Sequence, residues 1–180
     1  FYHKRQVVQI GFGEYEYEGI LKKLSAYNFA VISDQRPENA DTVEYAQKYV
    51  EQITQLLEAG VPASNITVAG ASKGSYIAIY VSHLLKNQAA NFVLLGSCGP
   101  DVESFVQSNT FLTGNVLSIY DSVDTFAGSC MSLFKISEGK GIAEYNEIVL
   151  HVGTGHGILY KPLDEWILPL VEWAQKDHHD

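Results

Sequence analysis

The chain has 180 residues, 46% of them hydrophobic and 18% charged, a balance that fits one globular domain with a buried core and excludes a disordered chain. Its formal net charge is −9 and its basic residues gather into no stripe, so a polyanion such as nucleic acid is excluded as a partner. No apolar run approaches the ~18 residues of a membrane-spanning helix.

The chain opens on Phe1-Tyr2-His3-Lys4, which reads as the end of a strand. With no Met at its head, it is expected to lack its native N-terminus, and location stays open between cytoplasm and export. A helix is expected over 14–27. Phe29-Ala30-Val31-Ile32-Ser33 predicts a strand that runs into a polar turn over 34–39. Val43, Ala46, Val50, Ile53 and Leu57 recur at three- and four-residue steps and predict a helix over 41–59. Asp41 or Thr42 caps its start and Gly60 stops it. Further strands are expected over 66–70, 92–96, 116–120 and 147–152, with helices over 74–87 and 162–175 and one small helix over 101–107. Strands that are apolar nearly throughout, separated by helices, mean a sheet covered on both faces. The expected fold is therefore α/β: a three-layer α/β/α sandwich around a mostly parallel sheet of about six strands, one domain over 1–180. Function belongs at the edge where the strands end.

Gly70-Ala71-Ser72-Lys73-Gly74 is G-x-S-x-G, set directly after the strand ITVAG and before the helix YIAIYVSHLLKN. A serine on so sharp a turn is held in a strained backbone with its hydroxyl above the sheet edge, and flanking glycines keep side chains out of neighbouring backbone. The order Ser-Lys-Gly excludes a phosphate-binding loop, which needs Gly-Lys-Ser/Thr. The elbow, a later aspartate and a late histidine, in that order, resemble the α/β-hydrolase superfamily, and the chain looks most like its small lidless bacterial serine hydrolases. The resemblance spans roughly residues 1–173 and implies acyl-transfer chemistry with a catalytic triad.

A serine hydroxyl needs an imidazole to take its proton, and the imidazole needs a carboxylate to orient it. Of six histidines, His178 and His179 belong to a solvated tail, where a metal site is disfavoured, His83 lies inside a helix, and His151 falls in the last strand. His156, in Gly153-Thr154-Gly155-His156-Gly157, sits in the loop after the last strand, where the superfamily places its base. Two carboxylates follow the strand before it. The resemblance puts Asp121 at a position commonly glycine and Asp124 at that of the acid, so Asp124 is preferred, Asp121 is the alternative, and the one not used caps the turn.

The oxyanion formed on attack needs two backbone donors, each worth ~3 kcal/mol in the transition state. The N–H of Lys73 is expected to be one. The other usually comes from a His-Gly loop. His3 matches the histidine and Lys4 replaces the glycine, so a donor is expected from His3 or Lys4. The connection over 96–116 is too short for a cap domain, which suits small or accessible ester substrates and disfavours long lipids. The resemblance thus implies a carboxylic-ester hydrolase that works through an acyl-enzyme, with no cofactor and no metal. A thioesterase or acyltransferase, or a non-catalytic binding module on the same fold, are the alternatives, and oligomeric state stays open. Cys98 and Cys130 are expected as two free thiols; a bridge between loops at one sheet edge is the alternative, and it would point to an oxidising compartment.

Overall fold

The computed structural model describes residues 8–9, 11–37, 39–100, 102 and 106–178. The elements run β1 (Val8–Gln9), β2 (Gly13–Glu14), α1 (Tyr17–Ser25), α2 (Thr42–Glu58), β3 (Thr67–Ala71), α3 (Lys73–Leu85), β4 (Asn91–Leu95), β5 (Gly114–Asp121), α4 (Met131–Ser137), β6 (Ile142–Leu150) and α5 (Asp164–Gln175). Short 3-10 helices cover Ala63–Asn65 and Gly155–Tyr160.

Strands β3-β4-β5-β6 form one parallel sheet in that order, and β1 and β2 pair separately as an antiparallel hairpin. Among the described residues the main sheet thus has four strands, against the expected six or so. Phe29–Ser33 carries no ladder, and Ile32 is 69% exposed. An apolar run of that length reads alike as a strand or as an extended connection, and only an adjacent strand edge converts one into the other. Helix α4 escaped the sequence reading because seven residues, about two turns, are too few to display a period.

Alternation along the central strands builds the layers. Phe92, Leu94 and Val116 face α2, α3 and α4, whereas Val93, Leu95, Leu117 and Ile119 face α1 and α5. Both faces are dry, with most of these side chains at or near zero exposure. Helix α2 starts as expected: the Asp41 carboxylate accepts from the N–H groups of Val43 at 2.9 Å and Glu44 at 2.8 Å. Replacing it in Asp41→Ala leaves two orphan donors and is expected to lower stability by about 1 kcal/mol in urea denaturation. The parallel register brings Ala71 opposite Leu95, Leu95 opposite Ile119, and Asp121 opposite Leu150. The loops after all four strands therefore leave from one edge. No described helix is long and apolar enough to cross a membrane.

Candidate active site

Ser72 joins β3 to α3 with φ 51° and ψ −119°, a region that an L residue enters only under strain. The turn is held on both sides. The Ser72 N–H donates to the Leu95 carbonyl at 2.9 Å, and its own carbonyl accepts from the Ser75 N–H at 2.8 Å and the Ser75 hydroxyl at 2.6 Å. Gly70 is required by contact: a Cβ there would lie 2.0 Å from the Gly74 carbonyl oxygen. The first glycine of the motif is thus a packing requirement between strand end and helix start.

The loop after β6 returns His156 over this turn. Its Nε2 lies 2.9 Å from Ser72 Oγ, and its Nδ1 lies 2.7 Å from Asp124 Oδ2. A carboxylate only accepts, so Nδ1 carries the proton and Nε2 is left to accept from the serine hydroxyl. The imidazole is 10% exposed and the Asp124 side chain 1%, so this chain of hydrogen bonds is shielded from water. The rings of Phe12 and Phe126 flank the imidazole at 5.9 and 5.5 Å between centroids. Asp124 is fixed in turn by the N–H groups of Phe126 at 2.8 Å and Ala127 at 3.2 Å, which donate to its other oxygen.

Asp121 does not touch the imidazole. Fully buried, it accepts from Val123 N–H at 3.2 Å with one oxygen, and from Thr154 and Gly155 N–H at 3.1 and 3.2 Å with the other. It caps its own turn, and it also ties the aspartate loop to the histidine loop.

The free-thiol expectation is overturned: Cys98 and Cys130 form a disulfide with Cα atoms 5.2 Å apart. The loops after β4 and β5 pack backbone on backbone here, since a Cβ on Gly99 would fall 2.0 Å from the Phe126 carbonyl oxygen. Two thiols brought to one edge by adjacent strands, through loops in direct contact, lie within bridging range. The tail expectation also changes. His178 is 3% exposed, with Nδ1 on Glu144 at 2.8 Å and Nε2 on the Trp173 carbonyl at 3.0 Å, while His179 lies outside the described residues. Of the others, His83 packs against Phe111, with Nδ1 3.2 Å from its carbonyl, and His151 stands exposed just past β6 with Nδ1 3.0 Å from Ser122 Oγ.

Above Ser72 opens a cleft of about 640 Å³, walled by Phe12, Tyr15, Arg36, Phe126, Leu159 and Tyr160. Burial pushes the Tyr15 phenol up, with Tyr17 adding to the effect, and burial does the same to Tyr160, so both hydroxyls stay protonated as donors at neutral pH. Lys73 lines the cleft at the start of α3, while His3 and Lys4 lie outside the described residues. The sequence reading missed Phe12. Its signal was Gly11-Phe12-Gly13, where both glycines take positive φ, at 103° and 81°, and bend the chain back over His156. Arg36 was missed too, and nothing in the pattern around it singles it out.

The family model for phospholipases and carboxylesterases matches residues 26–134, a span that includes Ser72 and Asp124 and ends before His156. No curated protein sequence is significantly similar to the chain. Among solved structures, a fungal esterase from Rhizomucor miehei is similar in fold at 15% identity and a TM-score of 0.58, covering 94% of this chain and 72% of that one. SOBER1 from Arabidopsis thaliana is similar at 14% identity and a TM-score of 0.52, covering 76% of this chain and 68% of that one.

Proposed function

The chain belongs to the phospholipase/carboxylesterase family of α/β-hydrolases, and from that premise we propose that it is a serine hydrolase of carboxylic esters. One observation carries the reading: an unbroken path of hydrogen bonds from Ser72 Oγ through the His156 ring to Asp124, at 2.9 and 2.7 Å. In this reading Ser72 attacks the ester carbonyl as His156 Nε2 takes its proton. The imidazolium is stabilised by Asp124 and then protonates the departing alcohol. Water, deprotonated by the same nitrogen, releases the acyl group and restores the serine.

The tetrahedral oxyanion is held by backbone donors, of which the Lys73 N–H, next after the nucleophile, is one. We assign the second to the Phe12 N–H; His3 and Lys4, expected from the sequence, lie outside the described residues. The support is its place: Phe12 lines the cleft beside Ser72, with its ring 5.9 Å from that of His156. The open cleft and the short connection over 96–113 favour small or accessible acyl groups. The Cys98–Cys130 bridge favours an oxidising compartment.

Covalent labelling tests the proposal. A fluorophosphonate probe is expected to add once per chain, at Ser72, with the adduct located by peptide mass. A folded protein that takes up no probe, or takes it elsewhere, would overturn the assignment.

A further inference from the structure

The cleft over Ser72 holds a guanidinium that makes no direct hydrogen bond or ion pair among the described residues. Arg36, on the connection between α1 and α2, is half-buried and lines this cleft. Its Nη2 stands 3.3 Å from the place a Cβ on Gly74 would occupy, which puts the guanidinium against the first turn of α3, beside the nucleophile elbow. The nearby carboxylate of Asp34 is already engaged by Lys48 Nζ and Tyr49 Oη. Among the described residues no hydrogen bond or ion pair engages the Arg36 guanidinium itself.

The surroundings sharpen the point. None of the described residues lining the cleft is Asp or Glu, although the chain as a whole carries a net charge of −9. A cation drawn partly out of water loses hydration that a fold ordinarily returns through a counter-ion. Here Asp34 is a carboxylate within electrostatic reach of Arg36, but it is shared with Lys48 and Tyr49, and the guanidinium itself lines the substrate cavity. Tyr15 and Tyr160 line the same cavity and carry hydroxyls able to donate to an anionic ligand.

We infer that the preferred substrate is an ester bearing a free carboxylate some bonds away from its scissile carbonyl, and that Arg36 selects it. The inference rests on the hydrolase reading above and adds the substrate class to it. A guanidinium presents two parallel N–H donors in one plane, which match the two oxygens of a carboxylate. Docked there, the carboxylate fixes the remote end of the ester while its carbonyl lies at Ser72.

The test compares mono-p-nitrophenyl adipate with p-nitrophenyl hexanoate, acyl groups of equal length that differ in the terminal carboxylate. Wild-type kcat/KM is expected to favour the adipate by about tenfold or more, as a charge-assisted pair made in the cleft should. Arg36→Gln is expected to erase that ratio and Arg36→Lys to keep part of it. The ratio cancels any general damage to the site, so a structural role alone would not move it. Calorimetric binding of the same two esters to Ser72→Ala reads the carboxylate contact without turnover. Equal kcat/KM for both esters, or a preference that survives Arg36→Gln, would overturn the inference and leave the hydrolase reading intact. Carboxylate-dependent binding with no turnover of either ester would support Arg36 and remove the hydrolase reading. Neither turnover nor selective binding would remove both.

Discussion

Ser72→Ala is expected to lower kcat on any ester substrate by about 10⁴- to 10⁶-fold while leaving the thermal midpoint close to wild type. The size follows from the way the groups act as one unit. In the proposed triad, once the hydroxyl is gone the imidazole has no nucleophile to activate, and only the proposed oxyanion donors and substrate binding remain. Asp124→Asn is expected to cost about 10⁴-fold by a different route. The amide that replaces Oδ2 can donate toward Nδ1, which favours the tautomer with its proton on Nε2. That nitrogen then faces Ser72 Oγ, 2.9 Å away, as a donor and can no longer take its proton. Asp121→Asn separates the two carboxylates. Its side chain touches no part of the imidazole, so its effect on kcat is expected to be far smaller. Its stability cost, about 1–3 kcal/mol in urea denaturation, comes from withdrawing an acceptor from the N–H groups of Thr154 and the buried Gly155, or of Val123. If Asp121→Asn inactivated the enzyme and Asp124→Asn did not, the two roles would have to be exchanged.

The parts of this site that sequence exposes are those where chemistry and backbone geometry restrict residue type together. Gly70 and Ser72 are legible because the approach of β3 to α3 admits no Cβ at residue 70 and the turn projects residue 72. Helix α2 is legible because its buried face recurs with the helical period and Asp41 supplies a cap. Phe29–Ser33 misleads because composition records apolarity and is silent about which strand edge stands nearby. The cleft walls are harder still. Phe12, Arg36, Phe126 and Tyr160 meet only after four separate connections have been folded onto one edge, and none of them is held to its residue type by a local rule. Asp121 shows the same limit on a smaller scale. Its turn-capping bond to Val123 spans two residues and can be anticipated, whereas its bonds to Thr154 and Gly155 depend on the pairing of β5 with β6.

Loss of the Cys98–Cys130 bridge is expected to lower stability by about 3–4 kcal/mol, from the chain entropy regained by a closed loop of this length. The two cysteines are separated by 32 residues, and the enclosed stretch holds β5 and the loop that carries both Asp121 and Asp124. The bridge therefore constrains the segment on which the acid of the proposed triad depends. Cys98 sits at φ 52° in the loop after β4, and the neighbouring Ser97 carbonyl accepts from Gly128 N–H at 2.9 Å, so both loops are already in register when the sulfurs meet. The double variant Cys98→Ala/Cys130→Ala avoids leaving a lone thiol, and reduction of the wild-type protein gives the same comparison without a cavity at the fully buried Cys130. Urea denaturation with and without reductant should show the shift in both. A fall in kcat should accompany it, because a looser aspartate loop orients the imidazole less well, and KM should rise with it, because Thr125 and Phe126 of the same loop wall the cleft. A change in stability below about 1 kcal/mol on reduction would mean that backbone packing between the loops holds them without the covalent link.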